Sequence, residues 1–332
     1  MMRRWRAVVM VVVALSVVVP LRTAAAPVSF DLKVAAIPYD LTSIAETVAL
    51  EHGFFAKYGL RVTMQDVIGG QRGTQAVISG NAHITNSSPS PAFAAIVQGA
   101  DLVTFATSFP ASPYYFLSRV PIGELRQVGV SGPGLSADRT AAILVLRRLG
   151  ADPSRMTYVP VGGTTARMAA LEQGTIQAAM VPLYVAVNYD KQQLRLLADT
   201  PALGIPFVVD DWITTRQFYG ESIRVIEAFS RAIIEANAFI LNPRNRDAVL
   251  KLLTDPRGSG FNAAQAQAAY TFAVKYMIKK YPSVNREGLR TLLEVLGTLE
   301  PTMSRVALDK YIMDEPLRSL ERTGFADQFY GR

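Results

Sequence analysis

GGQRGTQAVISGNAHIT (69–85) and GGTTARMAALEQGTIQAAM (162–180) are two versions of one construction. Each opens on a glycine pair, passes through a helix-forming run, stops at a glycine and resumes as a short apolar run. The interval from the first glycine to the stop is 11 residues (Gly69 to Gly80) in one copy and 12 (Gly162 to Gly174) in the other. Strand-like runs precede both pairs, Leu60–Val67 and Met156–Val161. An internal echo of strand, glycine turn, helix and strand predicts two βαβ lobes of like design.

Upstream, Leu32–Ile37 reads as a buried strand and Pro38–Asp40 as a loop. Ser43 with Glu46 has the spacing of a capping box opening a helix over Ile44–His52. Gly53 then suits a helix C-terminus. The aromatic turn Phe54–Tyr58 and Gly59 lead into strand 60–67, and the aromatics are expected to tuck under the sheet edge. Downstream, Arg126–Val130 is a strand and Ala137–Leu149 a helix. Leu194–Ala198 and Pro206–Val209 read as strands. Beyond Ser222 the texture becomes helical: Ile223–Leu241, Arg246–Leu253, Ala263–Lys279 and Arg286–Leu296, punctuated by Pro243, Pro256 and Pro282.

Composition narrows the function classes. Half of the 332 residues are hydrophobic and 18% are charged, a globular balance. Met1–Arg6 is basic, Ala7–Val19 is an unbroken apolar run, and small residues follow at Thr23–Ala26. This is the layout of a secretory signal peptide, with cleavage expected after Ala25 and the periplasm as destination. An uncleaved anchor is the alternative, and Arg3–Arg4 leave twin-arginine export open. Residues 1–25 hold four arginines and no acid, so the net charge of +7 falls to +3 without them. The basicity is therefore no argument for nucleic acid. There is no cysteine, which removes disulfides, thiolate metal sites and a cysteine nucleophile.

Ligands of open α/β sheets sit beyond the carboxyl ends of strands, where helix starts present free N–H groups. Candidate positions of this kind are Pro38–Ser43 (with Tyr39 and Thr42), Gly69–Arg72 (with Gly70), Asn86–Ser88, Thr107–Ser108, Gly132–Ser136 (with Gly134) and Gly162–Thr165 (with Gly163 and Thr164). Arg72, Arg139 and Arg167 fall in first helical turns nearby and could clamp an oxyanion, Arg72 and Arg139 being better placed beside Gly70 and Ser136. Tyr39, Tyr184 and Trp212 are candidate walls. Asp210-Asp211 could hold a cation, or form a hinge or turn. With His52 and His83 the only histidines, and no HExxH, GxSxG, CxxC or phosphate-loop motif, no catalytic residue, metal ligand or cofactor site is assigned.

The blocks AETVALEHGFFAKYGLRV (45–62), AVISGNAHITNSS (76–88), QGADLVTFA (98–106), VGVSGPGLSADR (128–139) and ALEQGTIQAAMV (170–181) resemble the periplasmic substrate-binding proteins of nitrate/sulfonate/taurine-type ABC importers, a group related to the thiamine-pyrimidine synthases. The resemblance implies a type II periplasmic binding protein fold. Lobe one would comprise 26–112 and 213–332, with the C-terminal helices packed on it, and lobe two 113–212. A two-segment hinge would join them. It implies a monomeric, non-enzymatic receptor that hands a small, anionic organic ligand to an ABC permease. Ser87, Ser136, Thr42 and the N–H groups at Gly70 and Gly163 would hold ligand oxygens, with Arg139 or Arg72 neutralising charge and Tyr39 covering the apolar part. The aromatic turn would pack the lobe without touching ligand. A periplasmic enzyme, or a sensor presenting ligand to a membrane kinase, would share the fold. The synthases' cysteine-rich motif has no counterpart in this chain.

Overall fold

The computed structural model describes residues 30–67, 69–132, 136–189 and 194–330. The expected leader lies outside them. Among the described residues no helix is long and apolar enough to cross a membrane.

Among the described residues ten strands form two five-stranded sheets. They are β1 (Phe30–Ala36), β2 (Leu60–Asp66), β3 (Ile84–Ser87), β4 (Leu102–Phe109), β5 (Tyr114–Ser118), β6 (Gln127–Val130), β7 (Thr157–Pro160), β8 (Ala178–Pro182), β9 (Arg195–Asp199) and β10 (Asp210–Thr215). The first sheet has the order β2-β1-β3-β10-β4 and the second β7-β6-β8-β5-β9. In each sheet four strands run in one direction and the fourth position in the order is filled by an antiparallel strand. That strand is the one arriving from the other sheet: β10 comes from the second, β5 from the first. The echo read in the sequence is thus a true topological repeat.

Helices α1 (Ile44–Glu51), α2 (Phe54–Lys57), α3 (Gly70–Ile78) and α4 (Pro89–Val97) belong to the first sheet, and α5 (Ala137–Arg148) and α6 (Thr164–Gln173) to the second. The C-terminal part follows as α7 (Arg216–Glu221), α8 (Ile223–Leu241), α9 (Arg246–Leu253), α10 (Ala263–Phe272), α11 (Arg286–Leu299), α12 (Leu308–Tyr311), α13 (Glu315–Arg322) and α14 (Asp327–Tyr330). It packs chiefly on the first sheet and its helices, as expected, with α8 against α1 and α2, and α12 and α13 against β4. The repeat depends on backbone freedom at equivalent points. Gly69 and Gly162 both take positive φ (94° and 103°), a region that side chains with a Cβ avoid.

Several expectations are corrected. Ser43 and Glu46 form no capping box: Ser43 donates its hydroxyl to the Ile37 carbonyl, and Glu46 turns into the interior. Pro206–Val209 is not a strand; the strand begins at Asp210, so Asp210–Trp212 join the first sheet rather than lobe two, and Asp210-Asp211 is no turn. The helix from Ala263 gives way to a π-helical turn over Ala273–Met277. The aromatic turn packs on α8 as well as against the edge strand β2. Phe55 stacks on Phe229 at 5.5 Å, while Lys57 and Tyr58 both bind Glu235.

Two connections join the sheets, 110–113 and 200–209, and side chains fasten them together. Thr200 donates its hydroxyl to the Tyr114 carbonyl (2.7 Å) and accepts the Tyr114 N–H (3.0 Å). Asn285 donates its amide to Pro110 O (3.1 Å) and Phe207 O (3.0 Å), one on each connection, while its own carbonyl caps α11 at Gly288 N–H.

Candidate functional site

The carboxyl ends of the parallel strands in both sheets open into helix starts. At the first sheet, α3 and α4 begin side by side. A Cβ on Gly70 would lie 3.4 Å from Ser88 N and 3.3 Å from the Pro91 ring, and one on Gly73 would meet Thr85 Oγ1 at 2.3 Å. Glycine is what lets these helix starts converge. At the second sheet, α5 starts at Ser136 and α6 at Gly163. None of these four helices has a side-chain cap, a lack they share with α1, α8, α9, α12 and α13, whereas α7, α10 and α11 are capped by Thr215, Asn262 and Asn285. Uncapped starts leave N–H donors and a partial positive charge for another acceptor. The hydroxyls of Ser87, Ser88 and Ser136 are also buried with no partner among the described residues. Such groups are costly unless something else bonds them.

The buried cation at these helix starts is not one of the two favoured by sequence. Arg72 is exposed on an open hollow with Asp66, Gln75 and Asn81, and the Arg139 guanidinium lies 4.8 Å over the Tyr158 ring. Arg167 is the buried one. It reaches the Gly162 carbonyl at 2.7 Å, Thr164 Oγ1 at 3.4 Å and Asp138 at 3.6 Å, and its Nε is unpartnered. Asp138 in turn accepts the N–H and hydroxyl of Ser131, both at 2.7 Å. A cation in a first turn opposes the helix dipole. The acid that compensates it sits on a different helix, so the pair was invisible to a linear reading.

Other candidates are spent within the fold. Trp212 is core: its ring stands edge-on to Phe229 and its indole N–H donates to Glu46 (2.7 Å). Tyr39 is buried with positive φ (57°); its hydroxyl donates to Glu51, Arg257 covers its ring at 4.0 Å, and Gly258 sits on its carbonyl. It is therefore not available as the apolar cover. Asn86 gives its amide to Thr42 O and Glu46 and accepts Ser108. Thr42 bonds Asp40 through both N–H and hydroxyl. Thr107 bonds Asp211 and the Asn285 N–H. Pro38 is half-buried in the loop before Tyr39. Gly134 lies outside the described residues.

Tyr184, the remaining candidate wall, is buried. It follows β8 and packs on Phe261 (5.5 Å) and Phe272 (6.3 Å) of the C-terminal part. Asp210, Tyr114 and Asp40 share its surroundings. Burial, then the Asp40 carboxylate, Tyr114 and Asp210, push the Tyr184 phenol well up. Asp210 is raised to about 7 by burial first and then by Asp40, Asp211 and Glu46. Burial likewise lifts Glu46 and Asp211 to about 7, against the hydrogen bonds each accepts. Sequence reading took Asp210-Asp211 as a cation site, hinge or turn, because the neighbours that surround Asp210 come from separate segments of the chain.

A family model described as "NMT1/THI5 like" matches residues 42–245. A search of curated proteins found no match. Among solved structures the chain is similar to a protein from Bordetella bronchiseptica RB50 (20% identity, 89% of this chain and 98% of that one, TM-score 0.71). It is also similar to the alkanesulfonate-binding protein SsuA from Xanthomonas axonopodis pv. citri bound to MOPS (16%, 87% and 100%, TM-score 0.66). A third is the periplasmic nitrate-binding protein NrtA from Synechocystis PCC 6803 (12%, 89% and 89%, TM-score 0.67). The two-sheet architecture is that of the periplasmic binding proteins.

Proposed function

The chain belongs to the NMT1/THI5-like family, and on that premise we propose that it is a non-enzymatic periplasmic receptor for a small organic oxyanion, delivering it to an ABC import permease. The observation that carries this reading is the set of four uncapped helix starts, two from each sheet, with the unpartnered hydroxyls of Ser87, Ser88 and Ser136 among them. Donors without acceptors, arranged on two facing bodies, suit a ligand rich in acceptor oxygens. Gly70 and Ser87 would serve it from one lobe, Ser136, Gly163 and Arg167 from the other. The lobes are taken as the two sheets with their helices, closing about 110–113 and 200–209. The alkanesulfonate- and nitrate-binding neighbours favour an oxyanion.

A thermal-shift screen against sulfonates, carboxylates, phosphonates, nitrate and pyrimidines tests it. A ligand at 100 times its dissociation constant adds about 2.7 kcal/mol and raises Tm clearly. A rise with an oxyanion class, the ligand being recovered intact, is the expected result. Recovery of a converted product would make the protein an enzyme, and no shift with any oxyanion would overturn the ligand class.

A further inference from the structure

Residues 254–262 join α9 to α10 in the C-terminal part, where α9 packs on α1 and α10 on α9. Three successive residues of this segment hold the loop after β1. The Arg257 guanidinium lies 4.0 Å over the Tyr39 ring and is itself clamped by Asp255, at 3.0 and 2.8 Å. A Cβ on Gly258 would lie 2.3 Å from the Tyr39 carbonyl oxygen, so only glycine lets the two backbones meet. Ser259 donates its hydroxyl to Asp40. Among the described residues Tyr39 is the one residue other than glycine with positive φ, a conformation that persists only where its surroundings impose it. The segment is therefore firmly fixed on the side of the first sheet.

Its far end meets the second sheet's elements. The Phe261 ring packs on Tyr184, which follows β8, at 5.5 Å, and Phe272 of α10 stands at 6.3 Å from the same ring. Just beyond, Asn262 and Gln265 line a hollow of about 300 Å³ whose other wall is residues 185–188 and the face of α6 that carries Met168 and Glu172. Asn262 and Gln265 spend their side chains on each other's N–H groups, in the capping box of α10. The contact is thus aromatic and one-sided, with unfilled space beside it that a packed interior would not leave.

We propose that 254–262 is a strap: anchored on the loop after β1 by Arg257, Gly258 and Ser259, it holds the second lobe through Phe261 on Tyr184 and sets the balance between parted and closed lobes. The hollow beside it is the space that α6 takes up on closure. The assignment rests on the receptor reading above and adds a fastening outside the two covalent connections. A strap works only if both ends hold. Loosening the anchor at Gly258, which meets Tyr39, should therefore part the lobes as loosening the ring pair does.

The chain has no cysteine, so two introduced ones carry spin labels without competition. Exposed positions are Lys251 on α9, for the first lobe, and Gln173 on α6, for the second. Double electron–electron resonance on the ligand-free protein reads the distance between them. Phe261→Ala and Gly258→Ala should each move the distribution to longer distances, and Phe261→Leu, which keeps an apolar side chain, should move it less. A Tm measured on each variant confirms folding. If folded Phe261→Ala, or Phe261→Leu should alanine not fold, leaves the distribution where the parent has it, the ring pair is mere packing and the inference falls. It also falls if Phe261→Ala shifts the distance and folded Gly258→Ala does not, since the anchor is then idle. The thermal-shift screen judges the receptor reading separately: an unmoved distance in a protein that an oxyanion stabilises removes the strap alone. A longer distance in variants of a protein that no oxyanion stabilises keeps the strap and removes the receptor reading.

Discussion

Trp212 donates its indole N–H to Glu46 Oε1 at 2.7 Å, tying a central strand of the first sheet to the first helix through one buried carboxyl group. The second oxygen of Glu46 has no partner, and neither has Asn237 Oδ1. Both residues line a hollow of about 10 Å³, room for about one water. Glu46→Gln keeps an acceptor for Trp212 and Asn86 and offers an N–H₂ toward Asn237. It should stabilise the protein by about 1–2 kcal/mol at pH 8, where the native carboxyl is partly charged, and by little at pH 5. Glu46→Ala should cost about 2–4 kcal/mol, because two buried donors lose their acceptor. Urea midpoints at the two pH values check this; equal losses in both variants would refute it.

The empty protein should be more stable at pH 5 than at pH 8. Glu46, Asp210 and Asp211 all sit at about 7, above the unfolded carboxyl range, so the folded state binds more protons between pH 4 and 7. Their contribution is complete below about pH 4 and is lost as pH rises through 7. The phenols facing them, Tyr114, Tyr184 and Tyr311, are all pushed up by burial and stay neutral in that window. His83, lowered by burial and then by Lys33, opposes the trend with one group against three. Asp255, held at about 2 by Arg257, matters only at lower pH. Chemical denaturation at pH 5 and pH 8 should differ by about 2–4 kcal/mol; a flat or rising profile would contradict the burial of these acids.

Asn285→Ala should cost about 2–4 kcal/mol, since one side chain caps α11 and fastens both connections. Asn285→Asp separates the roles. It preserves the acceptor for Gly288 N–H and removes the donors to Pro110 and Phe207. Its loss should approach that of alanine, and a loss confined to alanine would assign the residue to capping alone.

Arg167→Ala should destabilise by about 3 kcal/mol, because Asp138 is left charged and buried, each side chain being 4% exposed. The double substitution with Asp138→Ala should cost less than the sum of the single ones, a coupling of about 1 kcal/mol or more. Additive losses in a double-mutant cycle would show the pair to be energetically independent.

The repeat was legible in the sequence because the glycines at 69 and 162 serve a local need: both require positive φ, which no neighbour can supply. Helices α8 and α9 begin and end where amphipathic period and proline placed them. What failed was everything decided by contact across the chain. The Ser43–Glu46 spacing satisfied a local rule, yet Trp212 and Asn86 drew Glu46 inward. Asp210-Asp211 looked like a turn because acids are rare in strand interiors, and only pairing with β3 and β4 makes them a strand. For the candidate site, Ser87, Ser136, Gly70 and Gly163 could be named from strand ends. Arg167 and Asp210 could not be ranked, since their significance lies in partners held or lacking in space.

The position of β10 also governs the order in which the molecule can assemble. Strands β5 to β9 are contiguous in the chain, so the second sheet has all its members once residue 199 has been synthesised. In the first sheet, β3 and β4 have no pairing with one another and wait for Asp210–Thr215 to enter between them. The half synthesised first is thereby the half completed last, and its closing step is a long-range one.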